Sequence, residues 1–479
     1  FEKHLYNQLD PVERINLHEE IGSLLESFFG AQVDEAAVAL SRHFDEAGIP
    51  DKAVAYYEKA GNRAKRLSAD EDAISHFKRG IELLQRLPDS TERAQRELGL
   101  QISLGAPLIT TRGYGAPEVN ETFARARELS IMVLDPPQLF PLVYGLRSFY
   151  LMRADHKTAR EIAEQLIAIA DQEGDLSFYL QAHEALGSTL FYLGELSLAQ
   201  EHLEKGVELY DAQEHQTHAY LYGQDPGVAC MSYLGLTFWS LGFFDRALQW
   251  AESAIRLARE QNHPFSLALA LDFAASLHAL FRNAEATKNY AEEAIAISER
   301  QHFPMWLAMG KILSGWAQAE QDQLKSGIKM INEGLEAWHS TGATLGRPNF
   351  SALLADALGK AGREAEGLEV VTQALDAVKS TEEHVNEAEL FRLQGELLLN
   401  QGVDAKQVEQ SFRKALKVAR SQGAKGAELR VAVSLGRLWV SENKSEDARA
   451  LLTDLCKGLT EGTDTVDLLE ARRILDGIT

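Results

Sequence analysis

The chain has 479 residues, too many for a single hydrophobic core, so it must divide into domains or extend as a repeat array. Its 71 acidic residues outweigh 48 basic ones, and the net charge of −23 disfavours phosphate backbones and argues against direct nucleic-acid binding. Hydrophobic residues at 45% and only 12 prolines suit a soluble, helix-rich chain. No apolar run is long enough for a transmembrane helix, and there is no signal peptide, so a cytoplasmic location with no membrane partner is expected. Cys230 and Cys456 lie far apart within apolar helical patterns and are read as buried free thiols of a reducing compartment.

In chain order, residues 1–30 ("FEKHLYNQLDPVERINLHEEIGSLLE" and on) open on an amphipathic pattern already under way, starting at Phe1 rather than Met. They are expected to form a junction helix after an absent upstream module. Residues 31–134 hold the first repeats. "DKAVAYYEKAGNRA" (Ala53, Tyr57, Ala60) and "EDAISHFKRGIELL" (Ala73, Phe77, Gly80) read as second helices of helical hairpins, and "APEVNETFARAREL" (Val119, Phe123, Ala126) as a looser copy.

From 135 to 464 the pattern becomes regular. The stretch "LGLTFWSLGFFDRALQWAESAIRLARE" (Leu234 to Glu260) returns in variants, and the small residue opening its second helix falls at Ala159, Ala199, Ala247, Thr287, Gly327, Gly367, Val408 and Ala448. The gaps are 40, 48, 40, 40, 40, 41 and 40. The first helix carries Leu and Gly or Ala side by side with an aromatic or Leu three residues on. The second carries small, large and small residues on one face, so the two can approach closely. Gly194, Gly242, Gly362 and Gly402 stop the first helix in the left-handed conformation. One such hairpin cannot bury its apolar face alone and must stack. Residues 465–479, with "TVDLLEARRILDGI", close the array as a capping helix. The fold class expected is an all-α, right-handed superhelical solenoid of about 10–11 hairpins.

Leu234-Gly235-x-x-Phe238…Ala247-x-x-x-Ala251 resembles the tetratricopeptide repeat, whose unit is about 34 residues. The longer period of about 40 here looks like the variant in the sensor domain of the bacterial maltose regulator and its relatives. His18, Ile21, Gly22, Leu25 and Glu26 are similar to the helix that follows the ATPase and winged-helix modules of large bacterial signalling ATPases of the STAND type. "TRGYGAPEV" and "LYGQDPGVAC" look similar to segments of the same group. The resemblance implies the C-terminal sensor portion of such an ATPase. Its ATPase module and output domain (cyclase, kinase or transcription regulator) would lie outside this chain.

Motifs of chemistry are absent. There is no phosphate-cradling glycine loop and no G-x-S-x-G elbow. "HEEIG" at His18 lacks the second zinc-binding histidine, because that position is Gly22. His202, His215 and His218 read as exposed histidines rather than metal ligands. No catalytic residue, metal or cofactor is expected. A hydrolase using Asp272 or Glu184 is the remote alternative, lacking a nucleophile, base and oxyanion donors together.

Candidate contacts come from two sources. The 48-residue gap contains an insertion whose Tyr222, Gln224 and Asp225 sit beside a Pro-Gly turn, and repeat insertions often lie on a binding face. The concave surface should be lined by first helices. Counting along them gives Gln181, Glu184, Ser188 and Phe191, then Ser232, Leu236 and Trp239, then Asp272 and Ser276, Ile312 and Trp316, and Asn349 and Asp356. Trp239 and Trp316 would be stacking walls. Asp272, Asn349 and Asp356 would orient a ligand. Glu389, Arg392, Glu396, Arg430 and Arg437 look like a solvated or protein-contacting end. The partners expected are a small-molecule inducer or a protein or peptide, and the upstream ATPase module, with a homo-oligomer left open. A sensor predicts a closed aromatic pocket near Trp239 and residues 221–230. A stand-alone scaffold recognising a peptide predicts an open, continuous groove.

Overall fold

The computed structural model describes Tyr6 and residues 9–133, 136–215 and 217–478. Among these, regular structure is helical throughout, with no strand. No helix among them is long and apolar enough to cross a membrane. The chain forms two compact units, Phe1–Leu146 with Tyr220–Gly223, and Arg147–Ala219 with Gln224–Thr479.

The first unit holds α1 (Pro11–Phe29), a 3₁₀ segment (Gly30–Ala36), α2 (Ala37–Glu46), α3 (Pro50–Arg66), α4 (Asp70–Leu84), α5 (Thr91–Arg112), α6 (Pro117–Val133) and most of α7 (Pro136–Met152). A capping box between Asp10 and Glu13 starts α1. The hairpins are built on a glycine in one helix that receives an aromatic from the next. A Cβ on Gly22 would lie 3.0 Å from the Phe44 ring, one on Gly61 2.4 Å from Phe77, and one on Gly105 2.6 Å from Phe123. By this rule α3 is a first helix, paired with α4. Its buried Ala53, Tyr57 and Ala60 give it a second-helix sequence pattern as well, so α3 carries both patterns at once.

The second unit continues with α8 (His156–Glu173), α9 (Leu176–Leu193), α10 (Leu196–Leu209) and, after the insertion with its short α11 (His218–Tyr222), α12 (Pro226–Leu241) and α13 (Phe244–Glu260). The hairpins α14 (Pro264–Leu280) with α15 (Ala284–Gln301), and α16 (Pro304–Glu320) with α17 (Leu324–Ser340), come next. They are followed by α18 (Arg347–Lys360) with α19 (Glu364–Thr381), α20 (Glu387–Asn400) with α21 (Ala405–Ser421), and α22 (Lys425–Ser441) with α23 (Ser445–Gly458). The last helix is α24 (Val466–Ile478). Every small residue of the 40-residue register, from Ala159 to Ala448, is buried.

Each hairpin turn in this unit contains one residue at positive φ: Ala154, Gly194, Gly242, Arg282, Asp322, Gly362, Gly402 and Asn443. The turn geometry is therefore constant, although only half of the positions use glycine. The others accept a left-handed conformation costing about 1–2 kcal/mol.

Within the second unit the array winds far enough for later hairpins to meet earlier ones. The Met152 carbonyl accepts from the Thr344 and Leu345 amides at 2.8 and 3.1 Å, and the Tyr192 carbonyl from the Val385 amide at 3.2 Å. Arg246 pairs with Glu461 at 2.8 Å, and Arg282 with Asp467 at 3.3 Å. Gly426 lies so close to α12 that a Cβ there would sit 2.6 Å from the Trp239 carbonyl. A buried contact, His156 Nε2 to Glu383 Oε2 at 3.6 Å, crosses the same seam.

Candidate functional site

The seam bounds a cavity of about 390 Å³ on the concave face of the second unit, partly open to solvent and within the range of small-ligand sites. Its wall follows the repeat. Leu236, Ser276, Trp316, Asp356, Glu396 and Arg437 line it, one from each successive first helix at a spacing of 40 or 41. Ser240, Leu280, Glu320, Lys360 and Asn400 form a second row one helical turn further on. Both rows change along the array from apolar or small to charged or polar, so the cavity has an aromatic half and an ionic half.

The aromatic half is interlocked edge to face. Tyr233 stands 4.8 Å from Phe273 and 5.7 Å from Phe191, and Trp306 stands 6.5 Å from Phe273, measured between ring centroids. Burial keeps the Tyr192 hydroxyl, 3.5 Å from that of Tyr233, protonated far above the ordinary range. Trp316 Nε1 donates to Asp356 at 3.1 Å, and Trp338 Nε1 to the Leu345 carbonyl at 3.0 Å. The Arg430 guanidinium lies 5.3 Å from the Trp239 ring centre and joins the two halves.

In the ionic half four arginines and four carboxylates alternate. Arg437 pairs with Glu470, which holds Arg282 at 3.4 Å; Arg282 holds Asp467, and Asp467 holds Arg430 at 3.4 Å. Arg430 reaches Glu389 at 3.3 Å, Glu389 binds Arg392 through both oxygens at 2.8 and 2.9 Å, and Arg392 reaches Glu396 at 3.3 Å. Burial pushes the Glu389 carboxyl up, but Arg392 and Arg430 overcome it and hold it at about 2. Lys360 sits between Glu320 and Asp356, 3.0 Å from the latter. Glu389, Arg392, Glu396, Arg430 and Arg437, expected at a solvated end, all belong to the cavity lining. Sequence reasoning set them aside because charge was equated with exposure. The signal that finds them is register, since Asp356, Glu396 and Arg437 continue the row begun by Leu236.

Of the contacts expected from sequence, Phe191, Trp239, Ser276, Trp316, Asn349 and Asp356 line the cavity. Glu184, Ser232 and Asp272 do not. With Ile312 they form a buried row three residues before the hairpin's Gly or Ala, and that row faces neighbouring helices, whereas the cavity face begins one position later. Glu184 lies 3.9 Å from the buried Arg147, and Ser232 donates to the Val228 carbonyl at 2.7 Å. The insertion residues also lie outside the lining. Tyr222 packs edge-on to Tyr144 at 4.9 Å, and Gln224 is buried. Asp225 caps α12 by accepting from the Val228 amide at 2.9 Å and takes the Tyr210 hydroxyl at 2.8 Å. Cys230 is buried and Cys456 only partly so.

Asp272 is fully buried, and neither carboxylate oxygen has a hydrogen-bond partner among the described residues. Burial drives its pKa well above the usual carboxylate range. The folded state then binds a proton that the unfolded chain releases, so this group lowers stability increasingly as pH rises above about 4. Asp272→Asn, which cannot ionise, is expected to match the wild type at acid pH. It should exceed it by up to about 1.4 kcal/mol for each pH unit above that point, until the folded-state pKa is passed. Urea unfolding of both proteins across pH 5–8 reads this, and parallel pH profiles would contradict it.

Among the described residues no three His, Cys, Asp or Glu side chains are grouped to hold a metal ion. His18 with His43, and His183 with His202, form pairs with ring nitrogens 2.9 Å apart, and His18 also meets the Tyr6 hydroxyl at 2.9 Å.

No family model matches the sequence. An uncharacterized protein of Rhizobium meliloti (strain 1021) is 25% identical over 442 residues. The match covers 91% of this chain and 42% of that protein, so the chain spans less than half the length of its relative. Among solved structures, a Rap protein complexed with Competence and Sporulation Factor superposes with a TM-score of 0.58 at 11% identity, covering 77% of this chain and 98% of that one. A Signal Transduction ATPase with Numerous Domains with a tetratricopeptide repeat sensor, from Pyrococcus horikoshii, gives a TM-score of 0.43 at 12% identity, covering 98% of this chain and 75% of that one. The fold is an all-α solenoid of tetratricopeptide-like helical hairpins.

Proposed function

We propose that this chain is the non-catalytic sensor portion of a larger cytoplasmic signalling protein, and that its cavity binds a small molecule or short peptide whose presence is passed to a module outside the chain. The observation that carries the reading is closure. A groove for a long peptide is open along its length, whereas contacts across the seam bound a ligand-sized space, open on part of its surface, with aromatic and charged walls. A ligand touching both halves ties early hairpins to late ones. It favours the closed curvature by no more than its differential affinity for the closed and open states. The greater length of the Rhizobium meliloti relative leaves room for the partner module, and the sequence resemblance to STAND-type ATPases suggests its kind.

Four of the six tryptophans, Trp239, Trp306, Trp316 and Trp338, line the cavity. Their fluorescence therefore reports its occupancy. In a screen of amino acids, nucleotides, sugars, amines and short peptides, a true ligand at a hundred times its Kd should add about 2.7 kcal/mol of stability and shift the emission. Ser276→Trp, which fills the cavity from its wall, should abolish both signals. A screen in which nothing stabilises the wild type, or in which every hit survives Ser276→Trp, would sink the reading.

A further inference from the structure

The alternating chain of four arginines and four carboxylates is self-neutral. The remaining charged groups of the lining are Glu320, Asp356 and Lys360, two carboxylates sharing one ammonium. The lining as a whole therefore carries six carboxylates against five bases and is one positive charge short. The shortfall lies beside the aromatic half, because Asp356 also accepts from Trp316 Nε1 at 3.1 Å. Both carboxylates are less than a third exposed, so water screens them poorly. Burial and the neighbouring Asp356 raise the Glu320 carboxyl, as expected where one countercharge is missing.

A second observation comes from the start of the same helix, α16. Trp306 lines the cavity and is only 3% exposed, yet its indole N–H has no acceptor among the described residues. A buried donor in that state costs about 1–3 kcal/mol unless something supplies an acceptor.

Resting on the reading of this cavity as a ligand site, we propose that its ligand carries a protonated amine or guanidinium on an apolar, aromatic-sized body, the cation completing the Glu320–Lys360–Asp356 cluster and the body lying on the tryptophan wall. The protein's net charge of −23 draws such a cation inward.

The test uses three probes of one shape that differ in charge: phenethylamine, phenylethanol and phenylacetate, titrated calorimetrically into the full chain at millimolar concentration. The amine is expected to bind at least about tenfold tighter than the alcohol, with phenylacetate weakest, and to weaken as salt is raised. Glu320→Gln should bring the ratio of amine to alcohol affinity close to one. Asp356→Asn should do the same, and the near-isosteric change at Glu320, the last residue of α16, guards against loss of fold in the Asp356 variant, whose carboxylate also holds Trp316 Nε1. Trp316→Ala should weaken all the probes. An alcohol or carboxylate that binds as well as the amine would overturn the charge assignment and leave the cavity reading standing. Binding of none of the three, or binding untouched by Trp316→Ala, would overturn both.

Discussion

Glu389→Gln is expected to destabilise the second unit by about 3–5 kcal/mol at neutral pH, the cost of removing one partner from a buried ionic network. Glu389 holds Arg392 through both oxygens and Arg430 through one. Its loss takes the bidentate partner from Arg392 and one of two carboxylates from Arg430, leaving Glu396 and Asp467 to hold guanidiniums that are only 12–13% exposed in their side chains. The pH dependence adds a second signature. With the folded carboxyl held at about 2 against an ordinary 4.5, the stabilisation is fully present above about pH 4.5. It is lost as pH falls towards 2. The variant should lack that acid limb. Denaturant unfolding at pH 7 and pH 3 measures both effects. A loss under about 1 kcal/mol, or an unchanged acid limb, would mean that the network contributes little.

A comparable loss is expected from a single added side chain. Gly315 and Gly327 face each other where α16 crosses α17. A Cβ on Gly327 would meet the Gly315 carbonyl at 2.5 Å and the Ala319 amide at 2.8 Å, and one on Gly315 would meet the Gly327 carbonyl at 2.8 Å. These neighbours are backbone, so neither helix can yield without opening the crossing. Gly327→Val should cost about 3 kcal/mol or more. Gly402 provides the contrast: its φ is 74°, but a Cβ there meets nothing within 4 Å. Gly402→Ala should therefore cost only the left-handed penalty of about 1 kcal/mol. Hydrogen exchange in α16 and α17 separates the two, since only the first should lose protection across both helices. Equal effects would show that conformation rather than close approach governs these glycines.

The hairpins were legible in the sequence because their signal is steric and local. A small residue recurs about every 40 positions, and each one from Ala159 to Ala448 is buried in a hairpin. α3 shows the limit, since its Ala53–Tyr57–Ala60 face spells a second helix while Gly61, which receives Phe77, makes it a first one. Half of the expected contacts lie in the cavity. The residues counted one position early, Glu184, Ser232 and Asp272, lie behind the wall, because a shift of one residue turns a side chain by about 100° around a helix. The ionic half escaped notice for a different reason. Charged residues are buried only when paired, and their partners stand on hairpins remote in sequence. Arg282 and Asp467, 185 residues apart, cannot be matched by any local pattern.

The seam also sets how the second unit can fold and evolve. An open array of hairpins folds by adding nearest neighbours, in any number and from any starting point. Here Met152 must find Leu345, and Arg246 must find Glu461, only after the intervening hairpins are in place. Closure is thus a long-range event, slow in the manner of high-contact-order folds. It makes unfolding of the ring more nearly all-or-none than unzipping from one end. Inserting or deleting one hairpin between α15 and α18 would shift every seam partner by a whole repeat. This part of the chain has therefore given up the freedom in length that open solenoids keep, and its diversity must come from exchanging residues along the rows of the cavity wall.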